Sequence, residues 1–312
     1  MEFKHIPVML NECIKGLNIK SDGIYFDGTL GGAGHSSEIL KKLTNGGLLI
    51  ATDKDDEALQ VSTERLSKIS QNFVTIKSDF KRFNEILDEL KIEKIDGVLL
   101  DLGVSSYQLD NAERGFSYIA NAPLDMRMDK SNPLTAEKVV NEYPAEKLSK
   151  IFYDYGEEPF TKRIVNNIIE FRQTAKITTT KMLADIIKSS VPKKVQIEKG
   201  NPCKRVFQAI RIEVNGELSG LYDVINKMIK RLKIGGRIAI LTFHSLEDRI
   251  VKECFKENAT ACICPKTIPV CVCGHKASVK LINKKPIIAT TDELKINSRS
   301  SSAKLRIAEK IC

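Results

Sequence analysis

Between positions 23 and 102 the chain alternates short, nearly unbroken apolar runs with amphipathic stretches. Segments 23–27 (GIYFD), 47–53 (GLLIATD), 72–77 (NFVTIK) and 95–102 (IDGVLLDL) read as strands. The intervening segments 36–43, 55–69 and 80–90 carry apolar residues at helical spacing, and Asp55 and Asp56 suit a helix N-terminus. Strands that are apolar throughout must be covered on both faces. Joined by helices, they predict a parallel α/β sheet.

The alternation then breaks. From 112 to 214 the pattern is helical, with polar loops and no strong strand. It resumes with a helix over 218–232, a Gly-Gly turn and a strand over 237–243 (RIAILTF). Further strand candidates lie at 281–288 and 303–308. The pattern predicts one sheet-containing domain, 1–111 with 215–312, interrupted by a mainly helical insertion, 112–214.

Composition narrows the class without choosing it. The 312 residues are 42% hydrophobic and 29% charged, as in an ordinary globular protein. No apolar run approaches the roughly 20 residues that span a bilayer. The first ten residues, MEFKHIPVML, lack the apolar core and cleavage site of a signal peptide. Both point to the cytoplasm, where the eight cysteines are expected as thiols or metal ligands. The net charge of +9 is unevenly spread: positions 162–211 hold twelve Lys/Arg against three Asp/Glu. A basic segment inside the insertion suggests an anionic partner, with nucleic acid foremost.

The candidate chemistry centres on 25–36, YFDGTLGGAGHS, with four glycines between Gly28 and Gly34. Such a strand-to-helix loop lets a ligand approach the backbone closely. It does not read as a triphosphate loop, because His35 stands where the phosphate-binding lysine is needed before Ser36. The dinucleotide fingerprint G-x-G-x-x-G/A is met only in part, since 32–37 ends in serine. Asp53, at the end of the second strand, can accept both hydroxyls of a ribose. Asp101 ends the fourth strand near the expected switch in strand order, where open α/β sheets bind ligands. These features predict an adenosine-type cofactor, either NAD or S-adenosylmethionine. Asp27 favours the latter, because a carboxylate repels a pyrophosphate and attracts a sulfonium and an ammonium.

Motifs along the whole chain then resemble one family. They are HIPVML (5–10), DGTLGGAGH (27–35), DLGVSSYQLD (101–110), RGFSY (114–118), PLDMRMD (123–129) and YGEE (155–158). QAIRIEVNGEL (208–218), FHSLEDRIVK (243–252) and SAKLRIAEK (302–310) complete the set. The chain resembles the bacterial small-subunit ribosomal RNA cytidine-N4 methyltransferases, the RsmH (MraW) family. The resemblance implies a class I methyltransferase (Rossmann-like) sheet with an inserted helical domain for RNA recognition. It implies S-adenosylmethionine as cofactor and the N4 amino group of a cytidine in the decoding region of small-subunit (16S) rRNA as target. Carried onto matching positions, the cofactor contacts are Ala33, Gly34, His35, Asp53, Phe80, Asp101 and Gln108. The chain departs from the family at 297–306, NSRSSSAKLR, and at Tyr107, where proline is common.

Methyl transfer to an amino group needs acceptors around the nitrogen and a destination for its proton. Many amino-methyltransferases use an (N/D/S)-P-P-aromatic segment after the fourth strand. This chain has Asp101-Leu102-Gly103-Val104 there, so Asp101 is the candidate catalytic residue. His244 reads as a residue at the start of a helix that Ser245 caps, rather than as a catalyst. Cys262, Cys264, Cys271 and Cys273 place four thiols within twelve residues, a candidate structural zinc site with unusual C-x-C spacing. Lys193, Lys194, Lys199, Lys204 and Arg205 are the candidate phosphate contacts for rRNA, expected within an assembled or nearly assembled small subunit. A non-catalytic RNA-binding assembly factor and an NAD-dependent oxidoreductase are the competing readings.

Overall fold

The computed structural model describes residues 7–262, 264–265, 270 and 272–312. The chain divides into two compact units: the segment up to Gly103 joined with Ser219–Cys312, and Val104–Leu218. The helical unit therefore begins before 112 and ends after 214. The reason is packing: Val104 and Leu109 already lie against that unit's own apolar core.

Among the described residues, the first unit holds an eight-stranded sheet. Its strands are β1 (Ile24–Asp27), β2 (Leu48–Asp53), β3 (Phe73–Lys77), β4 (Ile95–Asp101), β5 (Leu232–Thr242), β6 (Val279–Leu281), β7 (Ile287–Ile288) and β8 (Lys304–Lys310). The order is β3-β2-β1-β4-β5-β8-β6, with β7 paired to β8. β1 to β5 are mutually parallel; β8 runs antiparallel to β5, β6 and β7. The expected Gly-Gly turn is instead a bulge within β5. Leu232 pairs with Ile95 and Arg237 with Gly97, and Gly235 absorbs the excess residues at φ 81°.

The apolar strands divide their side chains by parity. Phe26, Ile50, Val98, Leu100, Ile238 and Ile240 join one core cluster, built with helices Phe83–Glu89, Leu221–Arg231 and Ser245–Asn258. Tyr25, Leu49, Ala51, Leu99, Ala239 and Leu241 join the other, with helices α1 (Leu10–Leu17), α2 (Gly34–Lys42) and α3 (Asp56–Ser67). Each large apolar side chain so enclosed contributes about 1.5–3 kcal/mol, which is why the central strands tolerate no polar face.

The second unit is helical, and among the described residues it contains no strand. Its motifs interlock with one another. The Asn215 side chain accepts from Met128 N at 2.8 Å and donates to the Met126 carbonyl at 2.8 Å. The Arg114 guanidinium donates to the carbonyls of Arg127 and Met128. Arg211 grips Glu217 through two bonds of 2.9 and 2.8 Å. Glu158, 1% exposed, accepts from Phe160 N at 3.0 Å and faces Arg205 at 3.4 Å. No helix among the described residues is long and apolar enough to cross a membrane.

Candidate active site

Because β1, β2 and β4 are parallel, their terminal residues Asp27, Asp53 and Asp101 share one edge of the sheet. The loop from β1 to α2 is folded against that edge. Leu30 N donates to the Thr52 carbonyl at 2.9 Å, and Gly31 N to Asp53 Oδ2 at 2.7 Å. From α3, Ser62 Oγ donates to the Gly31 carbonyl at 2.6 Å. Gly31 sits at φ 47°, which glycine adopts freely. Ala33 sits at φ 56° despite its Cβ, a conformation that costs roughly 1–2 kcal/mol and lets α2 start without delay. Ala33 provides no side-chain cap for α2.

The three carboxylates differ in what they do. Asp27 is 1% exposed, and its oxygens are turned into the loop: Oδ2 accepts from Ser36 Oγ at 2.7 Å and Oδ1 from Thr29 N at 3.0 Å. Burial pushes its carboxyl up to about 6. Asp27 therefore ties the two ends of the glycine loop together rather than presenting its charge to a ligand. Asp53 accepts from Gly31 N and Asp55 N, and burial raises its pKa. Asp101 is the unusual one. Its Oδ1 is buried without a hydrogen-bond partner among the described residues, and its Oδ2 lies 3.6 Å from His35 Nδ1. Burial, then the charges of Asp27 and Glu247, push its carboxyl up to about 8.

The remaining predicted contacts fall into place unevenly. Gly34 and His35 open α2, and His35 is buried, its Nε2 3.0 Å from the Val8 carbonyl. A Cβ on Gly34 would collide with the Pro7 ring, so the residue must be glycine. Phe80 follows β3 but is only 8% exposed, packed with Phe26 and Leu100 in the core. Gln108 belongs to the helical unit, where its side chain and Ser105 form a reciprocal cap on helix Ser106–Asp110. His244, not Ser245, caps the helix after β5: its Nδ1 accepts from Glu247 N at 3.4 Å.

Three of the four cluster thiols lie in described residues. The sulfurs of Cys262, Cys264 and Cys273 are all within 4.8 Å of one another, and Cys262 and Cys273 are 3.9 Å apart. Cys271 lies outside the described residues. Among the basic residues, Lys193, Lys194 and Lys204 are exposed; Arg205 differs, because it is ion-paired with the buried Glu158. Lys199 ends the helix Lys193–Lys199.

The uncapped start of α2 and the orphaned carboxylate oxygen of Asp101 suit a ligand carrying both a carboxylate and a cation. A pyrophosphate would instead face Asp101. S-adenosylmethionine therefore fits the donor set better than a dinucleotide. The strand order, with a single antiparallel strand inserted beside β5, is that of class I methyltransferases. A model of the MraW methylase family matches residues 2–311, and the chain belongs to that family. Among curated relatives, "Ribosomal RNA small subunit methyltransferase H" of Clostridioides difficile (strain 630) is 52% identical over 311 residues, covering 100% of both chains. Its namesake from Clostridium botulinum (strain Kyoto / Type A2) is 53% identical over 311 residues, again covering 100% of both. That of Finegoldia magna is 51% identical over 312 residues, with the same coverage.

Proposed function

We propose that the protein is an S-adenosylmethionine-dependent methyltransferase. Its target is the N4 amino group of a cytidine in the decoding region of small-subunit rRNA, reached within an assembled or nearly assembled subunit in the cytoplasm. The observation that carries this reading is the end-to-end likeness to relatives named for small-subunit rRNA methylation. The site chemistry agrees with it.

The backbone of Ala33, Gly34 and His35 at the start of α2 would hold the methionine carboxylate, which a helix N-terminus favours. Asp53 would accept the ribose hydroxyls and Phe80 would flank the adenine; Gln108 is a cofactor contact by the family resemblance. Bound S-adenosylmethionine supplies an electrophilic methyl group. The protein's task is alignment and handling of charge: Asp101 offers a carboxylate oxygen to the amino group and drains its delocalised lone pair toward nitrogen. The target base must leave its stack to reach the sheet edge.

Lys193 and Lys194 occupy the first turn of their helix, where the macrodipole disfavours cations. Their place at the positive end of the helix supports their use on rRNA phosphates, together with Lys199 and Lys204, and Lys194 also has Glu198 4.0 Å away on the same helix. Arg205 contributes less, since Glu158 already compensates its charge.

The test is methyl transfer from labelled S-adenosylmethionine to small subunits that lack the modification, with the nucleosides resolved by mass spectrometry. N4-methylcytidine is expected. Cofactor binding without transfer to subunits or free rRNA would overturn the reading in favour of an RNA-binding factor.

The reading includes a structural zinc at Cys262, Cys264 and Cys273, with Cys271 as fourth ligand. Zn–S bonds of about 2.3 Å set tetrahedral sulfur–sulfur edges of about 3.8 Å, and the 3.9 Å between Cys262 and Cys273 supports that geometry. Four thiolates leave no open position, so this metal would stabilise the fold of the segment and take no part in the reaction. Protein purified without chelator should carry about one zinc per chain. Metal-free protein with four freely titrating thiols in this cluster would refute it.

A further inference from the structure

The proposed reaction leaves a question that the sheet edge answers. Asp101 is most useful as a carboxylate, yet it sits among like charges. Asp27 of β1 and Glu247 of the helix after β5 both raise its proton affinity, and burial adds more. From α1, Cys13 faces the same region, its thiol driven up first by burial and then by Asp101. Left alone, Asp101 would hold its proton at neutral pH and could accept none from an amine.

One neighbour can relieve this. His35 Nδ1 is 3.6 Å from Asp101 Oδ2, its ion-pairing partner among the described residues. On the other side of the ring, Nε2 is 3.0 Å from the Val8 carbonyl. A carbonyl oxygen only accepts, so Nε2 must carry a hydrogen. In the neutral ring, Nδ1 is then the basic nitrogen, and it points at the carboxyl. The ring is buried and held at its far end, so its orientation is fixed before any ligand arrives.

Resting on the methyltransferase reading, we propose that His35 is a positioning residue that keeps Asp101 ionised by taking its proton, leaving Asp101 Oδ1 as the acceptor of the target's N4 proton. The first step breaks the Asp101 Oδ2–H bond and forms His35 Nδ1–H, turning a neutral pair into an ion pair. As the new C–N bond forms at the expense of the donor's S–CH3 bond, a neutral sulfide is left behind and the positive charge passes from sulfur to the amino nitrogen. Its N–H bond then breaks and the proton passes to Asp101 Oδ1, the oxygen with no hydrogen-bond partner among the described residues. Charge is conserved at each step, and the Val8 carbonyl stabilises the imidazolium throughout.

Two measurements test this. The first is ¹⁵N NMR of the full-length free protein, whose four histidines make His35 assignable with a His35→Gln variant. The Nε2–H tautomer is expected, with a ring titration that moves when Asp101 is changed to Asn. An Nδ1–H tautomer, or a titration indifferent to Asp101→Asn, overturns the proposal whatever the substrate is. The second is the pH profile of methyl transfer under single-turnover conditions. His35→Gln should be slower by about tenfold or more at pH 6.5 and approach wild type within about threefold at pH 9, because high pH ionises Asp101 without help. An equal loss at every pH would mean a structural role only and refute it. Failure of S-adenosylmethionine to bind the wild-type chain would sink the methyltransferase reading instead, while the tautomer measurement still decides the pairing.

Discussion

Replacing Asp101 by Asn should stabilise the protein, and the gain should grow with pH. The carboxyl has an ordinary value of 3.8 when exposed and about 8 in the folded chain. The native Asp101–His35 pair thus binds a proton more tightly than the unfolded chain does, with His35 carrying it in the proposed ionised pair. Between those two values stability falls as pH rises, by about 1.4 kcal/mol per pH unit for a fully enclosed group. From pH 4 to pH 7 that amounts to about 4 kcal/mol. The side chain is 22% exposed, so we expect about 2–3 kcal/mol. Asn has nearly the same shape and does not titrate. Urea unfolding of both proteins at pH 4.5, 7 and 8.5 isolates the difference. The variant should match wild type at pH 4.5, exceed it by about 2–3 kcal/mol at pH 7, and gain no further above pH 8.5. The same variant should bind S-adenosylmethionine about tenfold more weakly, while losing little affinity for the uncharged sulfide product. A stability difference constant within about 0.5 kcal/mol across this range would refute the reasoning, because Asp101 would then have an ordinary pKa.

Other consequences follow from single contacts. Ser36→Ala removes the 2.7 Å bond to the buried Asp27 and should cost about 1–3 kcal/mol, more at pH 8 than at pH 5, as urea melts at the two pH values would read. Arg306→Met leaves Asp248 to Lys304 at 3.4 Å and removes the two bonds of 2.7 and 3.1 Å by which Arg306 helps hold it below the usual carboxylate range. It should cost about 1–3 kcal/mol at pH 7. That loss should shrink toward pH 3, because a depressed carboxylate stabilises only while ionised; a pH-independent loss would contradict the pairing. Changing Lys193 and Lys194 together to Gln should lower the slope of log affinity against log salt by about 1.5–2 for rRNA binding, measured by filter retention. An unchanged slope would exclude phosphate contacts by these two lysines.

The apolar runs alone determined much of this protein. Four parallel strands, the helices between them, the interruption after β4 and the return of the chain as β5 can all be read from hydrophobic spacing, which only burial on both faces explains. The glycine loop and the terminal aspartates were legible for the same reason: the ends of parallel strands meet at one edge whatever the details. What the sequence could not convey was which way each polar atom turns. Asp27 looked like a ligand contact and is instead a tie within the loop. Ser245 looked like a helix cap and His244 holds that place. Arg205, a candidate phosphate contact, also pairs with a glutamate 47 positions away, which the sequence did not reveal. The Gly-Gly pair looked like a turn and became a bulge, because β4 continues to pair on both sides of it. Most consequential is Asp101, whose neighbours come from two distant stretches of chain, Asp27 and His35 from the two ends of the glycine loop and Glu247 from the helix after β5. Its proton affinity depends on burial and on distances among those groups. Such distances are set by tertiary packing, which places residues far apart in sequence within a few ångströms of one another.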